Sequence, residues 1–401
     1  MKILNPKKIV VKFFKLNLTL LINLITLFLK LKKERCIFLR ENRIGHQAGN
    51  ADVEISKAIK LSQKNINSTF VFFEKEENIA NKYLRSLLVK EINKKFKIIV
   101  LNELFSYSFL YFLINKIQQY SLFNNTIYLS YTDVGERIKK QSLYKSNDLR
   151  KLCENLGIES NKYVCIYSRD QNYLKNKFPS YDWDYHTYRN SNIDNLRLLS
   201  EYLVDNYGLS IIRVGSNPTK KLTWSKKTKP KIIDYSFSEY LSPRNDIDLI
   251  CGCRLYISNG GGLEGVAMAS RRNMIKINQI PIGDEHNYSF GPWAPKIHFI
   301  KNSNRYLSLL EICKLNLERK FSYKDFIRKN IDLKENDNEE ILNIFKDYIK
   351  YKNNLFNKDE RLLIKKYKEM RVFISEKWNI LNNQENFISP SFLIKYPNLL
   401  R

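Results

Sequence analysis

The chain has 401 residues, enough for two or three domains, each able to bury its own core. With 43% hydrophobic and 13% aromatic residues it is not a disordered chain, and 68 Lys and Arg against 41 Asp and Glu leave a formal net charge of +27. That excess points to an anionic partner: nucleic acid, an acidic membrane face or a phosphate-bearing substrate. The six cysteines are too sparse for a disulfide scaffold, and no Cys or His spacing suits zinc. A reduced, cytoplasmic chain is expected.

The amino terminus carries Lys2, Lys7, Lys8, Lys12 and Lys15, then an uncharged run from Leu16 to Leu29 closed by Lys30, Lys32 and Lys33. At about 14 residues the run is short of the roughly 20 that a spanning helix needs. A small-residue cleavage site is missing, so the segment reads as uncleaved. Thr19, Asn23 and Thr26 share one helical face and Leu18, Leu21, Ile22, Ile25 and Leu29 another. Residues 1–33 therefore read as a basic amphipathic segment lying on the cytoplasmic face of an anionic membrane.

From residue 34 the apolar period alternates between strand and helix types, the pattern of an α/β fold. Strands are predicted at 36–39, 69–73, 97–101 and 126–129, with helices near 51–63, 78–94 and 103–119, giving a Rossmann-like unit over 34–135. A polar linker with a short helix at 146–156 spans 136–160. The pattern restarts over 161–302, with strands at 163–167, 210–214, 231–235, 254–258 and 273–277 and helices near 192–207, 245–252 and 261–270. Residues 303–401 read as a helical extension, with helices at 306–317, 338–352 and 359–378 and no strand signal. The expected architecture is two tandem doubly wound units with a helical carboxyl-terminal extension. Ligands of such sheets bind outside the carboxyl ends of the strands.

Four segments carry candidate chemistry. In 42–50 (Asn-Arg-Ile-Gly-His-Gln-Ala-Gly-Asn), read as the first strand-to-helix loop, His46 is the candidate base, and Arg43 and Gly45 flank it. Asp52 and Glu54, just beyond, are alternative bases. In 258–267, Ser258, Gly260, Gly261, Gly262 and Glu264 follow a strand and open a helix, so the backbone there suits a diphosphate. The segment has no P-loop lysine and no dinucleotide spacing. Arg169 and Asp170 end one predicted strand and Arg213 the next, where guanidinium groups clamp phosphate with paired hydrogen bonds. Lastly, Asp182 and Asp184 form an Asp-x-Asp pair in a long loop, a weak metal signal, and no metal is expected there. The same segment ends in Arg189 and Asn190, candidates for acceptor contact or for structure.

Taken together these residues resemble a family of bacterial glycosyltransferases whose members begin with an Arg-Ile-Gly-His loop, here Arg43 to His46. The likeness continues through Asn81, Tyr163 to Ile166, Arg169-Asp170, Tyr173, Tyr188-Arg189-Asn190, Ile212 to Gly215, Ile233-Asp234-Tyr235 and Gly261-Gly262-Leu263. It extends to Glu335-Asn336, Glu339-Glu340-Ile341 and Phe392-Leu393. That family is similar to GT-B enzymes and more distantly to fucosyltransferases and heptosyltransferases. The resemblance implies hexosyl or deoxyhexosyl transfer from a nucleotide diphosphate-sugar to a hydroxyl of a glycan or lipid-linked acceptor in polysaccharide biosynthesis. No metal or other cofactor is implied. The competing expectation from charge and aromatic content is a basic polyanion-binding protein without catalysis, but no nucleic-acid motif is present.

Overall fold

A computed structural model describes residues 32–73, 79–101, 148–177, 179–224, 230–284, 291–301, 303, 305–378 and 386–401. The basic segment 1–31, the helix expected at 103–119 and the strand expected at 126–129 lie outside these residues. The chain divides into two compact units, Met1–Leu129 and Ser130–Arg401.

The first unit holds β1 (Glu34–Phe38), α1 (Ala51–Ser62), β2 (Asn67–Phe73), α2 (Lys82–Ile92) and β3 (Lys97–Leu101). Its strands pair in parallel in the order β1-β2-β3. The segment read as a loop over 42–50 is instead already helical. Residues 46–50 form one wide helical turn that runs straight into α1, Gly45 has ordinary right-handed dihedrals, and the Gln47 N–H donates to the Arg43 carbonyl at 2.9 Å. The cause is packing: Ala48, Gly49 and Ala51 are buried, and only small side chains let the turn seat so closely.

The second unit contains α3 (Leu149–Leu156), β4 (Tyr163–Tyr167), α4 (Asn172–Lys177), α5 (Arg197–Tyr207), β5 (Ser210–Arg213), β6 (Ile232–Ile233), α6 (Pro243–Gly252), β7 (Leu255–Ser258) and α7 (Gly262–Ala269). After these come β8 (Asn273–Gln279), β9 (Pro292–Pro295), β10 (Ile297–Ile300), α8 (Leu309–Lys314), α9 (Tyr323–Ile327) and β11 (Ile331–Lys334). The chain closes with α10 (Asn338–Lys352), α11 (Lys358–Trp378), β12 (Phe387–Ile388) and α12 (Pro390–Lys395). Seven parallel strands run in the order β6-β5-β4-β7-β8-β9-β12. The direction of winding reverses between β4 and β7, which defines the switch point of a doubly wound sheet.

Both faces of this sheet are covered, so its strands are mostly apolar, with polar residues such as Lys276 and Asn278 of β8 buried among them. Val164, Ile166, Ile211, Leu255, Ile257, Ile275 and Ile277 share a core with Leu199 and Leu203 of α5 and Ile341, Ile344 and Phe345 of α10. The alternate residues Tyr163, Cys165, Ile212, Tyr256 and Met274 are equally buried, and the Tyr163 hydroxyl donates to the Leu249 carbonyl of α6 at 2.8 Å. The carboxyl-terminal segment is helical over α10 and α11 as expected, and it carries two strands besides. β11 pairs antiparallel with β10, and β12 adds the outermost strand beside β9. Two residues of strand have no period to read, which is why sequence alone shows only helix there. Among the described residues no helix is long and apolar enough to cross a membrane.

Candidate functional site

The two loops at the switch point, after β4 and after β7, are knitted into one polar constellation. Asn259 joins them: its Oδ1 accepts the Arg169 N–H at 2.7 Å, and its Nδ2 donates to the Arg189 carbonyl at 2.8 Å. The Arg169 side chain is 6% exposed, and its Nη1 donates to the His186 carbonyl (3.2 Å) and to Asn190 Oδ1 (3.1 Å). Burial, then the neighbouring Arg189, pull its pKa below the ordinary guanidinium value, though it remains cationic at neutral pH. Arg189 lies beside the glycine turn, with its Nη2 3.4 Å from where a Cβ on Gly260 would stand. Its Nε is shielded from solvent and has no hydrogen-bond partner among the described residues.

The turn itself needs glycine. Gly260 and Gly261 have φ of +93° and +121°, and a Cβ on Gly261 would stand 2.9 Å from the Tyr167 ring. Gly215, at φ +111°, confines the other edge of the same ring at 2.8 Å, so Tyr167 is slotted between two strand-end turns. Ser258 and Glu264 brace the turn from beneath: the Ser258 hydroxyl donates to Glu264 Oε2 (3.2 Å), and Glu264 Oε1 meets Lys276 Nζ at 2.8 Å. That ion pair is fully enclosed. Gly262 opens α7, whose first N–H groups lack intrahelical partners and present the positive end of the helix dipole.

The charges around this edge do not balance. Glu264 is matched by Lys276, and Glu335 by the buried Lys296, whose Nζ also donates to the Asn190 carbonyl at 2.5 Å. Burial lowers the Lys296 pKa against the raising effect of Glu335. Arg169 and Arg189 form no ion pair with any carboxylate among the described residues. Two guanidinium groups therefore stand without a described carboxylate partner beside a helix N-terminus and a glycine turn, a grouping of positive charge that suits an anion.

Three of the expected ligand residues have other work. Arg213, 3% exposed, donates to the Lys220 carbonyl at 2.6 Å and pairs with Asp234 at 3.4 Å, because β5 ends one strand away from the switch point. Asp170 ties down the neighbouring loop, accepting from the Asn172 N–H at 3.0 Å and from the Thr219 N–H at 2.8 Å. Glu264 is the enclosed counter-ion of Lys276 and faces its own turn. Asp182 accepts from the Asp184 N–H, and Asp184 pairs with Lys175, so both members of the Asp-x-Asp pair have structural partners. Among the described residues no group of three His, Cys, Asp or Glu is arranged for a metal ion.

In the first unit His46 is half-buried, with Nδ1 3.0 Å from Asn50 Nδ2. Burial, then Arg40 and Arg43, lower its pKa, which keeps the imidazole neutral at pH 7 and free to accept a proton. Gly45 is the helical residue before it and Arg43 is exposed. Burial alone would raise the Glu54 pKa, but Arg35 at 2.6 Å and Lys57 at 2.9 Å hold it below the usual value, which weakens it as a base. Asp52 is buried in the first turn of α1.

Sequence reasoning passed over Glu41 and Gln47. Burial pushes the Glu41 carboxyl up to about 7, with Arg85 3.7 Å away and Gln47 Nε2 at 3.4 Å. Gln47 clasps the main chain of Asn81 in both directions, at 2.9 and 3.1 Å, and Asn81 caps α2 through the Leu84 N–H. A polar residue beside three small buried ones was the available signal. A separate cavity of about 340 Å³, lined by Gly252, Arg254, Arg271 and Arg272 among others, opens at the opposite, amino ends of β7 and β8. There Arg271 and Arg272 cap carbonyls of Met268 and Ser270 that end α7, so its arginines stand where helix dipoles disfavour an anion.

Fold and site together define a mixed α/β chain of Rossmann-like units with a positively charged edge at the switch point of the second. No family model matches the chain, and no curated protein matches it in sequence. Solved structures align with it distantly. The iron-containing dodecameric glycosyltransferase TibC from enterotoxigenic E. coli aligns at a TM-score of 0.37 and 11% identity, over 80% of this chain and 77% of that one. The glycosyl transferase family 9 protein of Veillonella parvula aligns at 0.31 and 12%, over 74% and 94%. The UDP-GlcNAc 2-epimerase of Methanocaldococcus jannaschii aligns at 0.25 and 12%, over 75% and 81%. Transferases and an epimerase are alike at this level, so the likeness selects no chemistry.

Proposed function

We propose that this chain is a glycosyltransferase moving a sugar from a nucleotide diphosphate-sugar to a hydroxyl of a cell-surface glycan precursor. The observation that carries the reading is the uncompensated pair Arg169 and Arg189 beside the Gly260–Gly262 turn and the start of α7. A diphosphate there gains two guanidinium clamps and a helix dipole, and its negative charge grows as the glycosidic bond to it breaks. The two cations and the helix dipole offset that growth without a metal. His46, neutral at pH 7, takes the proton of the acceptor hydroxyl. The lysine-rich segment 1–33 holds the enzyme at the cytoplasmic face of an anionic membrane, beside a lipid-linked acceptor.

The test is thermal stabilisation of the full chain by UDP-, GDP-, ADP-, CMP- and dTDP-sugars, with Mg²⁺ or with EDTA, repeated for Arg169→Ala and Arg189→Ala. Stabilisation by one nucleotide class, unchanged by EDTA and lost in both variants, supports the reading. Silence toward every donor, with RNA binding that weakens steeply as salt rises, would mean instead that the charge of +27 serves a polyanion-binding protein.

A further inference from the structure

Between Tyr181 and Tyr188 the chain carries five rings in eight residues, and they form a ladder. Trp183 lies 6.2 Å from both Tyr185 and His186, at interplanar angles of 22° and 12°, and Tyr185 and His186 are 3.9 Å apart at 34°. Trp183 and Tyr188 are buried, and Tyr188 packs on Phe326 of α9 at 5.7 Å. Those two rings belong to the core. Core packing does not account for Tyr185 and His186, which are half-buried at the outer end of the ladder, or for Tyr181, which is 66% exposed.

The ladder adjoins the arginine pair. Residues Asp184–Arg189 form a 3₁₀ helix that ends in Arg189 itself, and the His186 carbonyl accepts from Arg169. The turn is braced by Asp182 on the Asp184 N–H, by the Thr187 hydroxyl on the Asp184 carbonyl and by the Lys175–Asp184 ion pair. At about 2 Å of rise per residue, Tyr185 stands roughly 8 Å along the turn from Arg189. One ribose with its 5′ phosphate bridges that gap.

We propose that Tyr185 and His186 form the shelf on which the donor's nucleobase stacks, with Trp183 as the ring behind them. The inference rests on the reading of Arg169 and Arg189 as the diphosphate clamp. Trp183 lies within 22° of both rings, which are tilted by 34° to each other, so a flat base can extend the stack on either of them, and stacking accepts any base because each has a π-face.

The experiment is calorimetric titration of the full chain with ADP, GDP, UDP and CDP, each against inorganic pyrophosphate, with Trp183 fluorescence followed in parallel. At least one nucleoside diphosphate is expected to bind about tenfold or more tightly than pyrophosphate. Tyr185→Ala is expected to bring that nucleotide to the pyrophosphate level and leave pyrophosphate unchanged, while Tyr185→Phe keeps the difference. His186→Ala, whose carbonyl bond to Arg169 is retained, repeats the test should Tyr185→Ala fold poorly. Equal binding of pyrophosphate and all four nucleotides overturns the shelf and leaves the clamp standing. A parallel loss of both ligands in Tyr185→Ala and His186→Ala overturns it as well. If neither pyrophosphate nor any nucleotide binds, the clamp falls and the shelf falls with it.

Discussion

Replacing Lys276 with methionine probes how the glycine turn is held. Lys276 is fully buried in β8, and its only carboxylate among the described residues is Glu264 at 2.8 Å, itself 4% exposed. Removing the ammonium takes the ion-pair partner from an enclosed carboxylate to which the Ser258 hydroxyl still donates. Loss of one member of a buried pair costs about 3–5 kcal/mol, a large share of the stability of any domain. Lys276→Met with Glu264→Gln removes both charges and keeps an acceptor for Ser258, so the double variant is expected to regain at least half of the loss. All four tryptophans lie in the second unit, at 183, 224, 293 and 378, so tryptophan fluorescence in a urea titration reports this unit alone. A single variant less than about 1 kcal/mol below wild type, or a double variant no better than the single, refutes the idea that this pair carries the turn.

Gly261→Ala meets both a φ of +121° and the Tyr167 ring, and is expected to cost about 2 kcal/mol or more. Gly208→Ala, at φ +61° in open space, should cost only about 1 kcal/mol in the same urea titration. Arg213→Ala takes the cationic partner from the Asp234 carboxylate, which keeps only the Leu222 N–H at 2.7 Å among its described partners, and is expected to lower urea stability by about 3 kcal/mol without a change specific to pyrophosphate. Arg189→Ala should leave stability within about 0.5 kcal/mol and abolish pyrophosphate binding, which separates a packing arginine from a binding one. Burial raises the Asp246 carboxyl to about 7, so the folded chain holds that proton over a pH range in which the unfolded chain has released it. Its contribution is therefore full below the unfolded pKa and lost as pH rises toward 7. Wild type should lose about 2–4 kcal/mol relative to Asp246→Asn between pH 5 and 8, measured by the same fluorescence.

Most of the architecture was legible because it is periodic. The strands β1 to β8 and the long helices α5, α10 and α11 announce themselves through runs of Ile, Val and Leu at spacings of two or of three and four, whereas the short β9 to β12 do not. What stayed hidden was set by contacts distant in sequence. The helical character of 44–50 depends on Gln47 clasping Asn81, and no local spacing encodes a partner 34 residues away. Arg169 and Arg213 look alike at two strand ends, yet one borders the switch point and the other faces Asp234. Strand order decides that, and strand order is not written in a single sequence. Arg189 was visible only as the end of an aromatic loop, and its place beside Gly260 follows from Asn259, which joins two segments 70 residues apart.

The large sheet is finished by a strand far along the chain from its partner. β12 pairs with β9, about a hundred residues earlier, and is fastened by the Ser389 hydroxyl on Asp347 and the Tyr396 hydroxyl on Glu340. During synthesis β9 therefore waits as an open edge while α10 and α11 emerge from the ribosome, and an unpaired edge is a template for another chain. The peptide that follows α11 acts as a late-arriving cover for its own nascent domain. A stalled or clipped chain that lacks β12 would leave the ribosome with that edge bare and prone to self-association.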